Sequence, residues 1–195
     1  IWDLNTGSVL KEYSLAISDL KNFCLIPNSE NIIGNENDEL IIINYLDGRI
    51  LKKIKTNKDP IKIIQPSTDG SKLLTVSFSN LVEVRNAKNL QLITTIENSN
   101  PIKNIVFQKK SEIVVAQSYD KKLLIWITNN SVDLKTIDLN SAFTIKKSCY
   151  SPDLKQAFCL VNGHNWSRIS IWNIEKNSPA EYIKNVNASM FDFDI

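Results

Sequence analysis

Apolar residues along this chain come in short runs separated by polar turn clusters. "ELIIIN", "IVVA", "LLIWI" and "AFCLV" are apolar at consecutive positions. A run of that kind is a β-strand covered on both faces. "RILKKIK" and "SVDLKTIDL" are mixed, and their lysines need water on one side. Apolar residues do not recur at i, i+3, i+4 over any long window, so no helix is predicted. The pattern predicts strands near 19–26, 31–35, 39–46 and 49–55; then 60–65, 72–78, 81–86 and 90–96. Further strands follow near 101–107, 112–118, 122–128 and 132–138, then 143–150, 155–161, 167–174 and 180–184.

The strands fall into repeats. From Ile125-Trp126, a step back of 41 residues reaches Val84-Arg85 and another reaches Ile43-Asn44. A further step of 42 reaches Ile1-Trp2, and a step forward of 46 reaches Ile171-Trp172. Leu20, Ile61 and Ile102, at the start of successive units, are also 41 apart. Turn pairs follow the anchors: Asp47-Gly48, Lys88-Asn89, Asn129-Asn130 and Lys176-Asn177. Asp-Gly and its relatives are strong hairpin signals.

Each unit therefore reads as a four-stranded antiparallel sheet with buried middle strands and a wetter outer strand. Such sheets cover their faces by stacking on copies of themselves. The expected fold is an all-β propeller of four complete blades, approximately 19–55, 60–97, 101–139 and 143–185. With partial blades at 1–18 and 188–195, residues 1–195 read as a single partial propeller, the missing blades being expected on both sides in a longer chain. The chain opens on Ile inside a repeat, so a piece of a longer protein is expected.

"IWDLNTG" at 1–7, and Ser118, Asp120 and Trp126 within "SYDKKLLIW", resemble the WD40-repeat family. In that family an aspartate in the turn between the second and third strands bonds a histidine of a Gly-His pair. The histidine reaches a Ser or Thr of strand two, which reaches the tryptophan of strand three. The resemblance thus implies that Ser118 and Asp120 lock a turn and that Trp2, Trp126 and Trp172 are structural anchors. Asp38, six residues before Asn44, holds the place of Asp120, while Ser79 and Trp166 occupy it in the other units. No Gly-His pair precedes a first strand, and the one histidine, His164, lies in a turn. Asp120 is therefore expected to bond backbone N–H groups of its own turn. "NLQLITTIENSNPIKNIVF" is also similar to YVTN-like repeats, another four-stranded-blade family.

Composition alters this picture little. Of 195 residues, 43% are hydrophobic and 23% charged, which suits a globular domain with a sizeable core. A net charge of +2 gives no strong field toward nucleic acid or a membrane surface. No apolar run reaches the ~18 residues of a membrane helix. Cys24, Cys149 and Cys159 form no disulfide framework, which points to a reducing compartment inside the cell.

Catalytic signatures are sparse. A Ser-His-Asp triad would have to use His164, and no G-x-S-x-G elbow is present. No C-x-x-C, H-x-x-x-H or G-x-G occurs, so no cofactor or metal is expected. Lysine pairs at 52–53, 109–110, 121–122 and 146–147 could meet RNA phosphates, but they sit at different radii and opposite ends of the fold. Phe78, Tyr119 and Trp166 lie at or beside the turn between strands two and three of successive units. Each either anchors a partner or packs, capping its own core or lying on its neighbour; packing is favoured for Phe78 and Tyr119, and the two stand even for Trp166. Lys58, Asn100 and Lys121 share that rim.

The expected function is a non-catalytic scaffold presenting rim loops to other proteins in an intracellular complex, with no membrane partner. The alternatives are an RNA-associated subunit, as in ribosome assembly or translation, and a hydrolase or lactonase of the propeller type.

Overall fold

The computed structural model describes residues 1–56, 59–96, 99–108, 113–128, 134–138, 144–151, 153, 155–162, 167–173, 176 and 178–186. Sheet 1 contains β1 (Lys21–Leu25), β2 (Asn31–Glu36), β3 (Glu39–Asn44) and β4 (Ile50–Lys55). Sheet 2 contains β5 (Ile61–Pro66), β6 (Lys72–Ser77), β7 (Val82–Asn86) and β8 (Leu92–Ile96). Sheet 3 contains β9 (Ile102–Gln108), β10 (Ile113–Ser118), β11 (Lys122–Ile127) and β12 (Leu134–Asp138). Sheet 4 contains β13 (Thr144–Tyr150), β14 (Gln156–Asn162), β15 (Ser167–Asn173) and β16 (Ser178–Val186). In every sheet, sequence neighbours pair antiparallel.

The hydrophobic pattern explains the layering. β6 and β10 are buried over nearly their whole length, as consecutive apolar residues require. β4, with two lysines at its centre, is mostly exposed. Three apolar clusters lie between the sheets. One joins sheets 1 and 2 through Ile33, Leu40 and Ile42 against Ile61, Ile64 and Leu73. A second joins sheets 2 and 3 through Val82 and Val84 against Leu124 and Trp126. The third joins sheets 3 and 4 through Leu123 and Ile125 against Cys159 and Trp172.

The expected propeller does not stand. The clusters link each sheet only to its neighbour in sequence, and among the described residues none links sheet 4 back to sheet 1. Among the described residues the sheets form an open stack that does not close on itself. Nor is there a partial blade at 1–18. That segment keeps one turn, in which Asp3 accepts bonds from the Asn5 and Thr6 amides, but it pairs through a single Trp2–Val9 bridge. One bridge leaves the backbone without a ladder, so no strand forms there. The expected segment 188–195 lies outside the described residues.

A second correction concerns register. Asn44 was expected to match Arg85. Instead it matches Asn86: its amide bonds the Arg49 carbonyl and its carbonyl accepts from Gly48, as Asn86 bonds Gln91 and Leu90. The β2–β3 turn is one residue shorter than its counterpart, pairing Asn35 with Leu40 where β6–β7 pairs Val76 with Val82. Because side chains alternate along a strand, this slip moves Ile43 to the face away from sheet 2.

Two glycines sit where the stack is tight. Gly70, at φ +71, lets the β5–β6 turn lie against the β1–β2 turn, where a Cβ would stand 2.0 Å from the Pro27 carbonyl oxygen. Gly48, at φ +75, leaves room for the Tyr13 ring, whose hydroxyl donates to the Leu46 carbonyl.

Candidate functional site: the edge formed by the second turns

The turns that join the second and third strands of sheets 1, 2 and 3 lie beside the connections that lead into the first strands. Each turn is tied to its connection by a polar latch. On the connection side the latches stand at equivalent positions, residues 18, 59 and 100 being 41 apart; on the turn side they use Glu36, Ser79 and Lys122. In sheet 1 the Ser18 amide donates to Glu36 Oε1 at 3.1 Å, and the Ser18 hydroxyl donates to the same oxygen. In sheet 2 the Ser79 amide donates to Asp59 Oδ2 at 2.7 Å, while Ser77 and Ser79 share a hydroxyl bond of 2.8 Å. In sheet 3 Lys122 Nζ donates to Asn100 Oδ1 at 3.3 Å and pairs with Asp120 at 2.9 Å.

Asp120 was expected to bond backbone amides of its turn. Its main partners are the Ser118 hydroxyl and the Lys122 ammonium, with a lesser bond from its own backbone amide. Ser118 is buried, and its Oγ accepts from the Lys122 amide at 3.0 Å, so the turn is held from both sides. Asp38, expected in the same role, meets Thr56 through its carbonyl, and Glu36 supplies the latching carboxylate in that turn.

The electrostatics follow from these contacts. The Ser18 hydroxyl, with its amide, holds Glu36 below the usual glutamate range. The Ser79 hydroxyl and amide do the same for Asp59. Burial works to raise Asp120, but the Ser118 hydroxyl and Lys122 outweigh it, and the carboxyl lies below its ordinary value. Burial lowers Lys62, and the Asp59 charge only partly offsets that.

The edge also couples the sheets. The Ile61 amide, first in β5, bonds the Asn37 carbonyl of sheet 1 at 3.2 Å. The Ile102 amide, first in β9, bonds Asn80 Oδ1 of sheet 2 at 3.2 Å. Asn22 and Asn35 both donate to the Ile61 carbonyl, at 3.1 and 3.3 Å. Asn80 and Lys121 occupy equivalent turn positions with left-handed φ of 68° and 67°.

On this frame stand two aromatic side chains. The Phe78 amide bonds the Pro60 carbonyl at 3.1 Å, and the Tyr119 amide bonds the Pro101 carbonyl at 2.9 Å. Both pairs are 41 residues apart. Phe78 is 66% exposed and Tyr119 67% exposed. The favoured expectation that they pack on their own cores is therefore overturned: the backbone bond to the proline carbonyl fixes each turn with its ring outside the sheet. Asn100 and Lys121 share this edge. Lys58, Trp166 and His164 lie outside the described residues.

Of the three tryptophans expected as anchors, Trp126 and Trp172 are buried in the clusters on either side of sheet 3. Trp2 is 64% exposed and lines a groove between residues 1–15 and sheet 1. Among the described residues it pairs with Val9 alone, and no described sheet encloses it. Sequence reasoning missed Ser18, Glu36 and Asp59. The spacing of 41 was the available signal, but Ser, Asp and Asn at the same position share no single motif.

Among the described residues, no group of three or more His, Cys, Asp or Glu could hold a metal ion. No described helix is long and apolar enough to cross a membrane. Cys159 is buried, and its thiol is pushed up to about 12 by burial and then by neighbouring Cys149, so it is not a nucleophile poised at neutral pH.

No family model matches the chain. It is similar to the putative BTB/POZ domain and WD-repeat protein R731 of Acanthamoeba polyphaga mimivirus, 23% identical over 175 residues, covering 85% of this chain and 30% of that protein. It is also similar to Protein Rae1 of Drosophila melanogaster, 27% identical over 133 residues, covering 67% of this chain and 36% of that protein. The chain thus spans 30% and 36% of the length of these curated relatives. Its fold is an all-β repeat distantly related to WD-repeat proteins.

Proposed function

We propose that this chain is a non-catalytic docking module inside the cell that offers the edge of its second turns to a protein partner. One observation carries the reading: Phe78 and Tyr119 stand exposed at equivalent places on adjacent sheets, on turns that are each bonded to the connecting segment. An exposed ring on a fixed turn loses little conformational freedom when it is buried, which is why aromatics dominate interface anchors. Similarity to a protein named for WD repeats and a BTB/POZ domain supports a role in assemblies. Affinity purification with wild type and with Phe78→Ala/Tyr119→Ala tests it. Loss of shared partners from the double variant, at unchanged thermal stability, supports the reading. An unchanged set rejects it.

A second reading, RNA binding, has its own observation. Lys62 bonds Asn80 and Lys122 pairs with Asp120 in the turns that carry the two rings, and cations on turns with exposed aromatics suit stacked bases and phosphates. Against it, Lys122 is already paired with Asp120. Fluorescence anisotropy with single-stranded RNA across a salt series separates the two. RNA affinity that falls steeply with salt and is lost in Lys121→Glu/Lys122→Glu favours RNA; the absence of any such binding leaves the protein reading.

A further inference from the structure

The second turns of sheets 2 and 3 share a backbone and differ in charge. Lys62 is the extra residue of a β-bulge, set between the Ile61–Ser77 and Ile63–Val76 pairs. Lys103 is the extra residue of the matching bulge, between the Ile102–Ser118 and Asn104–Gln117 pairs. A bulge re-aims the side chain it carries. The turn residues match as well: Asn80 and Lys121, 41 apart, hold left-handed φ of 68° and 67°.

In sheet 2 the bulge and the turn meet, because Lys62 Nζ donates to Asn80 Oδ1 at 2.5 Å. Asp59 adds a carboxylate whose charge acts on Lys62. Lys62, Asn80 and Asp59 together are neutral. Forty-one residues on, the same three places hold Lys103, Lys121 and Asn100. The acid has become an amide and the amide a cation, so two ammonium groups share a place with no carboxylate among the three. Asp120, in the same turn, pairs with Lys122 at 2.9 Å. The exposed Tyr119 ring stands two residues before Lys121.

We infer that this place receives a carboxylate of the protein partner: an acidic side chain seated at Lys103 and Lys121, with an apolar neighbour against the Tyr119 ring. The inference rests on the docking reading above and adds the partner's chemistry. The excess of cations does not run along the edge. In sheet 1 the connection and turn carry Asp19, Glu36 and Asp38 against Lys21. A phosphate chain laid along the edge would meet those acids, whereas a single carboxylate meets only the two lysines. Such a pair fixes how a partner is oriented more than how tightly it is held.

The probe is acetylated hexaglutamate, titrated into the intact chain and read from amide NMR shifts. The shifts are expected to centre on Lys103, Tyr119 and Lys121 and to exceed those at Lys62 and Asn80. Hexalysine gives none there. Lys121→Asn, which copies sheet 2, weakens binding about three-fold, Lys103→Gln/Lys121→Asn roughly ten-fold, and Lys121→Arg retains it. If circular dichroism shows the double variant unfolded, Lys121→Asn alone carries the test, since Asn80 already holds this φ. The inference is overturned by shifts that centre elsewhere or do not occur, or by variants that bind as wild type does. It is also overturned if oligouridylate displaces the peptide with a steep dependence on salt, which assigns the place to RNA. Partners lost from Phe78→Ala/Tyr119→Ala but kept by Lys103→Gln/Lys121→Asn overturn this inference and leave the docking reading standing. Partners kept by the aromatic variant, with hexaglutamate still bound at the lysines, overturn the docking reading while the carboxylate site stands.

Discussion

The interface between sheets 2 and 3 and the one between sheets 1 and 2 are built on the same scaffold with opposite chemistry. On the back of β11, Leu124 and Trp126 fill the first with apolar volume. Forty-one residues earlier, the back of β7 carries Glu83 and Arg85. Both are buried, paired at 2.8 Å, and Arg85 also donates to the Leu90 carbonyl at 3.0 Å. Glu83 lines a cavity of about 40 Å³ together with Thr75, Ser77 and Asp59. A tryptophan contributes by leaving water and by packing. A buried ion pair must first recover the desolvation of two charges, so it fixes geometry more than it adds stability. The repeat therefore specifies where a side chain goes, not what holds it there.

The comparison can be broken at its apolar side first. Trp126→Ala is expected to cost about 3–5 kcal/mol, read from urea unfolding, since a large void opens between two sheets. At the polar side, Glu83→Ala leaves Arg85 buried without its acid and is expected to cost about 3 kcal/mol. The sharper test is Glu83→Leu/Arg85→Trp, which copies the sheet 3 residues into sheet 2. It is expected to equal or exceed the wild type by about 1–4 kcal/mol. A double variant less stable than Glu83→Ala would show that the two interfaces differ in shape as well as chemistry.

Much of this was legible in the chain. All sixteen predicted strands lie within two residues of an observed one, because consecutive apolar runs bounded by turn residues admit few other readings. The register of sheet 1 was not legible. The run "LIII" at 40–43 presents an apolar residue at every position, so a one-residue slip leaves the sequence pattern unchanged. Only the Asn35–Leu40 pairing reveals the shorter turn. The exposure of Phe78 and Tyr119 was likewise hidden: it depends on the Pro60 and Pro101 carbonyls, many residues away.

Smaller effects sharpen the same contrast at the molecule's edge. Glu36, Asp59 and Asp120 are lowered from ordinary values of 4.5, 3.8 and 3.8. Groups whose folded values are depressed add stability above their unfolded values, and it is lost as pH falls through the folded ones. Stability should therefore decline below about pH 4.5, and Asp59→Asn/Asp120→Asn should flatten that decline in urea midpoints measured across the acid range. Smallest is Lys121→Gly. Lys121 holds a left-handed φ of 67°, which glycine adopts without strain, so thermal unfolding should show a gain of about 1 kcal/mol.

The sequence alone determined the number, order and approximate limits of the strands, since alternation and turn chemistry act over a few neighbouring residues. It also determined which strands lie inside. Only the tertiary structure decided that the described sheets form an open stack and that Trp2 stays exposed. It alone decided that Ser18, Asp59 and Asn100 fasten equivalent turns by different chemistry. Those outcomes rest on contacts between segments distant in the chain, and a side chain's local pattern carries no record of what lies across from it.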